Sequence, residues 1–466
     1  MSEAPFMKAI LAGGVAMTAD DQHAKTFVFF PEGAFGPTNN CIGIGDVLRR
    51  RGHRVVFVIE ESFKGTLEAK GFEERLMRLG PAPQGGASGA GSAGPDALRG
   101  DVPPQTVAEV PGQFWKDFIR DTAPVFRRST LEQVEGFIAP TWHALVDGAR
   151  YVDPRLAEIF DELMPDVIIE DNVVGFPAIA ASGRPWVRIA SCNPLELKDP
   201  DLPPVFSGYP VDDRSGWNEF HQEYRRQVGP MQEEFSEFLV EHGAPRLPAL
   251  EFIDESPWLN LYLYPAELDY PRSRALPATW HNLETSVRST DAPWQPPGGE
   301  SGPLIYVSLG SLGSADVALM ERLVDVLSRT PHRYVVSKGP QHEAYELAGN
   351  MVGAEFLPQT SILPHVDLVI THGGNNTTTE CMYFGKPMIV LPIFWDQHDN
   401  AQRVHETSHG LHLPTYSFEE EDLVGAIDHL LVDTTLQRRM QAASARLQAR
   451  PGTRRAADLI EEVAAG

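Results

Sequence analysis

The stretch Leu368-Val369-Ile370-Thr371-His372-Gly373-Gly374-Asn375-Asn376-Thr377-Thr378-Thr379-Glu380 decides how this chain folds. Residues 368–370 form a short apolar run of strand type. Gly373 and Gly374 let the backbone turn sharply and come close to a ligand. Residues 376–384 then read as a helix whose first free N–H groups face that turn, and such a helix start is a ready site for an anion, most often phosphate. His372, Asn376 and Thr377 add side-chain donors, and Glu380, one turn on, is placed to accept hydrogen bonds from ribose hydroxyls. A second strand at 388–391 leads into Pro392-Ile393-Phe394-Trp395-Asp396-Gln397. Those residues fall at the same end of the sheet, where ligands bind in open parallel sheets. Phe356-Leu357-Pro358-Gln359 lies just upstream.

Outward from this unit the chain keeps alternating strands and helices. Residues 304–308 read as a strand ending in Ser308-Leu309-Gly310-Ser311. Ser314 is expected to cap a helix with Val317, Met320, Leu323, Val324 and Leu327 on its apolar face, and Ser417-Phe418-Glu419-Glu420 has the form of a capping box. In the first half, strands are expected at 26–30, 54–59, 167–169 and 186–189. A polar loop at 31–40 leads into a helix carrying Ile44, Val47 and Leu48, with Gly52 as its C′ glycine. Residues 81–104, rich in Gly, Ala, Ser and Pro, read as a surface excursion. Residues 197–263 read as irregular, aromatic-rich cover over a cleft, with a helical patch at 232–240. The fold class is therefore α/β, with two doubly wound domains. The expected boundaries are an N-terminal extension at 1–25, a first domain at 26–270, a linker at 271–303 and a second domain at 304–448. A terminal segment at 449–466 reads as a helix.

A length of 466 residues suits two cores rather than one. With 64 acidic against 39 basic residues the formal net charge is -25, which argues against nucleic acid and anionic membranes as partners. Cys41, Cys192 and Cys381 stand far apart, so neither a metal site nor a disulfide framework is implied, and a reducing cytoplasm fits. No apolar run approaches the roughly 18 residues that span a bilayer. Residues 9–19 are only mildly apolar and read as a loose extension rather than a cleaved signal.

The motifs of 356–397 resemble the nucleotide-sugar signature of the family 1 UDP-glycosyltransferases, roughly W-x-P-Q, H-x-G-x-N-S/T-x-x-E and P-x-x-x-D/E-Q, and the match is sharpest over 305–411. The resemblance implies a GT-B architecture: two Rossmann-like domains facing across a cleft, the first binding the acceptor and the second the donor, with the terminal helix at 449–466 crossing back to the first domain. Phe356 would replace the tryptophan that stacks on uracil, with Gln359 beside it. His372, Gly374, Asn376, Thr377 and Ser311 would hold the diphosphate, Glu380 the ribose, and Asp396 with Gln397 the sugar hydroxyls. The expected reaction is transfer of a hexose, glucose first, from a UDP-sugar to a hydrophobic small molecule, with inversion. No cofactor or metal is expected beyond the donor itself. A cytoplasmic monomer or weak dimer, of the bacterial small-molecule type, is expected too. Phe35, Trp115, Phe118, Trp217 and Phe220 give the acceptor side its aromatic character, though such residues also fill cores. Trp395 suits either the sugar ring or core filling.

One position departs from the family. Where relatives carry the histidine that acts as base on the acceptor, counted back from Arg51-Gly52-His53, this chain has Pro37. Asp171, in Ile169-Glu170-Asp171, matches the aspartate that would orient that histidine, although a cap or turn role is open to it as well. Three explanations stand. Asp171 or Glu32 is itself the base, tuned by an apolar cleft. Alternatively the acceptor is an amine, thiol or acidic phenol that needs little help. In the third, the chain binds sugar nucleotide without turning it over. The runners-up are an auxiliary sugar-nucleotide-binding homologue and a sugar-nucleotide epimerase on the same fold. A dinucleotide oxidoreductase is disfavoured because Gly33 and Gly36 do not complete the glycine fingerprint.

Overall fold

Two parallel sheets organise the computed structural model, which describes residues 24–80, 122–297 and 302–466. The first holds β1 (Thr26–Pro31), β2 (Arg54–Glu60), β3 (Glu73–Met77), β4 (Val167–Asp171), β5 (Trp186–Ala190), β6 (Leu259–Tyr262) and β7 (Trp280–Asn282), in the order β3-β2-β1-β4-β5-β6-β7. The second holds β8 (Leu304–Ser308), β9 (Arg333–Ser337), β10 (Met351–Ala354), β11 (Leu368–Thr371), β12 (Met388–Val390) and β13 (Gly410–His412), in the order β10-β9-β8-β11-β12-β13. The central strands are buried on both faces, which is why they read as unbroken apolar runs rather than alternating ones. Phe27 and Phe29 face one core, Val28 and Phe30 the other.

Each sheet reverses its strand order once, between β1 and β4 and between β8 and β11. Loops part to opposite faces at such a point and leave a crevice at the strand ends. Register then sets the neighbours. Pro31 pairs with Asp171, so Glu32 emerges beside Asp171; Ser308 pairs with Thr371, so the turn at Leu309 emerges beside His372.

Four local expectations are corrected. The helix at Val317–Ser328 is capped by Asp316, whose carboxylate accepts from Leu319 N at 3.1 Å; Ser314 Oγ turns back to Gly310 O. A carboxylate three residues before a free N–H outcompetes a hydroxyl already used in the preceding turn. Likewise Glu419 and Asp422, not Ser417 and Glu420, make the reciprocal cap of the helix at Glu420–Val432. Helix Phe35–Arg50 begins inside the expected loop, so Pro37 sits in its first turn, where a missing N–H costs nothing. Finally, the helical patch expected at 232–240 is part of a longer helix, Trp217–Glu241, which carries Pro230 within it, while most of the rest of 197–263 is irregular as expected. Residues 81–104, Trp115, Phe118 and residues 9–19 lie outside the described residues.

The terminal helix Gly452–Ala465 lays Ala456, Ala457 and Ile460 into the core that holds Phe27 and Phe29. Arg51 pairs with Asp458 and Glu461 at 2.6 Å each, and His53 Nε2 meets Glu461 at 2.9 Å, which accounts for the Arg51-Gly52-His53 turn structurally. Among the described residues no helix is long and apolar enough to cross a membrane.

Candidate active site

The second-domain half grows from the turn between β11 and helix Asn375–Phe384. Gly373 adopts φ 86°, a conformation that side chains disfavour. Gly374 and Gly310 wedge the His372 ring from two sides: a Cβ on either would come within 2.7 Å of it. Burial lowers the His372 pKa to about 4, so the imidazole is neutral near pH 7. The free N–H groups of the first helical turn open on the same spot. Ser311 lies in the short turn Gly310–Gly313 beside His372.

Helix geometry brings Thr377 and Glu380 together on one face. Gln359 Nε2 donates to Thr377 Oγ1 at 3.2 Å and to Glu380 Oε2 at 2.6 Å. The other Glu380 oxygen accepts from Arg288 Nη1 at 2.8 Å, a partner that no local pattern announced. Phe356 is 46% exposed at the rim, with its ring centroid 5.6 Å from that of Phe35 across the cleft.

The first-domain half is built at the β1 and β4 ends. Asp171 is buried; Ser191 Oγ donates to its Oδ1 at 2.7 Å, and Cys41 Sγ lies 3.9 Å from Oδ2. Burial foremost, with the nearby Glu32 charge adding, raises Asp171 to about 7. Burial likewise raises the half-buried Glu32 to about 7. Two carboxylates poised near neutrality therefore stand where strand register joins them, beside the helix turn that bears Pro37.

A polar network clasps the halves together. Asn376 Nδ2 donates to Gly36 O at 2.9 Å, and Asn375 Nδ2 reaches Ser191 O and Leu263 O at 2.7 and 2.9 Å. Asp396 accepts from Asn193 N at 2.9 Å and from Asn400 Nδ2 at 3.3 Å, and burial raises its pKa to about 6. Gln397 Oε1 accepts from Ile393 N and Phe394 N, holding its own loop. Asp396 and Gln397 thus each serve the local framework.

Asp399 is buried, and its two oxygens accept from Phe206 N at 2.6 Å and Gly208 N at 2.8 Å. This second-domain carboxylate fixes a first-domain turn whose φ values, 69° and 63°, are both left-handed. Asp399→Ala is expected to cost about 1–3 kcal/mol for each N–H it orphans. A lower urea midpoint would register that loss, and an unchanged midpoint would show the turn to be held by other means.

The aromatic expectation needs correction. Trp217 and Phe220 are core residues, 5% and 0% exposed, because helix Trp217–Glu241 turns that face inward. Trp395, at φ 57°, packs with centroids 4.2 Å from Phe206 and 5.0 Å from Trp142, so it fills the domain junction. An apolar cavity of about 370 Å³ lies between Phe126 and Gly313, Ile393 and Tyr416. Among the described residues no group of three or more His, Cys, Asp or Glu side chains could hold a metal ion.

Residues 287–451 match the family of UDP-glucoronosyl and UDP-glucosyl transferases. The chain is 28% identical over 351 residues to the zeaxanthin glucosyltransferase of Pseudescherichia vulneris, covering 73% of this chain and 84% of that one. It is 25% identical over 439 residues to the oleandomycin glycosyltransferase of Streptomyces antibioticus, covering 93% and 89%. Its fold superposes on the crystal structure of the glycosyltransferase of kitacinnamycin with a TM-score of 0.65 at 20% identity, covering 95% of this chain and 99% of that one. Two parallel sheets joined across a crevice are what these relationships lead one to find: residues 287–451 carry the UDP-glucoronosyl and UDP-glucosyl transferase pattern, and the chain is a glycosyltransferase of the natural-product GT-B type.

Proposed function

We propose that the protein moves a hexose, glucose first, from a uridine diphosphate sugar to a hydrophobic small molecule, with inversion and with the Asp171–Glu32 pair as base. The observation that carries this reading is a pair of carboxylates with raised pKa values at the ends of β1 and β4, next to the turn that Asn376 of the second-domain helix Asn375–Phe384 clasps at Gly36 O. The acceptor's O–H donates its proton to an ionised carboxylate as its oxygen attacks the anomeric carbon, and the bond from that carbon to the diphosphate oxygen breaks. Negative charge then grows on the leaving diphosphate. The N–H groups of the helix start, with His372 and Thr377, stabilise it where it develops. No metal ion enters this reading. Phe356 stacks on the base with less area than tryptophan, so uridine is preferred to thymidine only modestly.

Mass spectrometry of products tests this. The protein is incubated with UDP-glucose or TDP-glucose, with and without a chelator, and a panel of phenols, aryl amines, thiols and alcohols that includes zeaxanthin and oleandomycin. Glucosylation of a hydroxyl acceptor, insensitive to chelator, is the expected result. Transfer to amines and thiols alone would replace the carboxylate base with a self-activating nucleophile. An isomerised sugar nucleotide formed without acceptor would indicate an epimerase. Saturable donor binding with neither outcome would favour an auxiliary binding role.

A further inference from the structure

The segment joining the two sheets reaches into the donor half through one side chain. Arg288, 9% exposed, clasps Asp291 with a fork, Nε to Oδ1 at 2.8 Å and Nη2 to Oδ2 at 2.7 Å. Asp291 is itself tied to the second domain, since its Oδ2 accepts from Thr360 N at 3.2 Å and Thr360 Oγ1 at 2.9 Å. With two nitrogens of the guanidinium so fixed, the remaining Nη1 is aimed at Glu380 Oε1, 2.8 Å away. A planar fork oriented in this way transmits direction as well as charge. Gln359 holds the other oxygen at 2.6 Å, so each Glu380 oxygen has one protein partner and one lone pair left over.

We propose that Arg288 is a positioning residue for the donor: from the interdomain segment it orients the Glu380 carboxylate so that both its free lone pairs can accept the ribose hydroxyls of a nucleoside diphosphate sugar. This rests on the donor reading given above. The charge of Arg288 matters as well as its direction. Glu380 is 3% exposed, and burial raises its pKa while Arg288 opposes the rise. The other titratable groups near it are Asp291 on the same segment, Tyr306 on β8 and Cys381 on its own helix, none of them a cation. Without Arg288 the upward push of burial on this carboxyl would go unopposed, and a proton taken up there would turn one acceptor into a donor.

The test uses the full chain and titrates UDP and 2′-deoxy-UDP against wild type, R288M and R288K between pH 6 and 9, with KM and kcat measured for UDP-glucose. The wild type is expected to prefer UDP. R288M should bind UDP roughly ten- to hundredfold more weakly, bind both nucleotides alike, and recover affinity as pH rises. R288K, which keeps the charge and loses the fork, should fall between. The loss should appear in KM for donor far more than in kcat. A variant that keeps the wild-type discrimination and a flat pH dependence would overturn the proposal; should R288M fail to fold, R288K alone decides by the same criterion. A wild type that binds neither UDP nor 2′-deoxy-UDP would sink the donor reading itself, and Arg288's role with it.

Discussion

Asp171→Asn is expected to slow transfer to alcohol and phenol acceptors by about a hundred- to ten-thousandfold, the usual worth of a positioned general base, while UDP binding stays unchanged. Asparagine can still accept from Ser191 Oγ, which now bonds Asp171 at 2.7 Å, so the strand end should keep its shape. The pH dependence gives an independent check. Asp171 and Glu32 are each raised to about 7, so the ionised form appears only as pH climbs through neutrality. Wild-type kcat/KM should therefore rise through about pH 7 and then level off. The two groups repel, so the observed inflections belong to the pair rather than to either residue. Removing the Asp171 charge relieves Glu32 of a like-charged neighbour, and the residual activity of Asp171→Asn should titrate at lower pH. Glu32→Gln should shift the Asp171 inflection in the same direction. If both substitutions left the rate on every acceptor untouched, the carboxylate base would have to be abandoned, and Pro37 would point to an acceptor that activates itself.

Arg188→Met is expected to lower stability by about 3–5 kcal/mol, the range seen when one partner is taken from a buried ion network. Arg188 and Glu170 are both fully buried and lie opposite each other on β5 and β4. The guanidinium touches Asp254 Oδ1 at 2.5 Å and Glu170 Oε2 at 3.0 Å, and it donates to Asn172 O at 3.1 Å. Neither Glu170 oxygen has a hydrogen bond of good geometry. Methionine fills the space but leaves Asp254 without its cation and the Asn172 carbonyl without a donor. Since Asn172 follows Asp171, the loss should also blunt activity at temperatures where the protein remains folded. Glu170 offers the companion test. Burial raises its pKa from 4.5 to about 8. A group raised in the folded state stabilises fully below its unfolded value, and that contribution fades as pH rises toward the folded one. Glu170→Gln should therefore match wild type near pH 5 and become the more stable protein toward pH 8, by thermal melts across that range. A constant difference over the range would show that Glu170 does not titrate there.

The parts of this molecule legible in sequence are those whose causes are local. β8 was read to its boundaries, 304–308, because a strand covered on both faces must be apolar at every position. The turn at Gly373 and the helix that follows it, expected from 376 and found from Asn375, were legible for a similar reason, since adjacent glycines after a buried strand mark a sharp turn locally. The exchange of caps was missed because Asp316 and Ser314 are both plausible within three residues, and only the preceding turn, which uses Ser314, separates them. Trp217 and Phe220 were equally ambiguous: aromatic character is written in the sequence, but which face of their helix turns inward depends on the elements packed against it. By itself, then, the sequence determined two alternating α/β domains, the anion-ready turn at His372 to Glu380 and the loss of a histidine at Pro37. Tertiary structure alone decided that Glu32 stands beside Asp171, that Arg288 reaches Glu380 and that Asp399 grips the turn at Phe206. Each of these joins residues tens to hundreds of positions apart through strand register or domain closure, and no periodicity or motif within a segment carries that information.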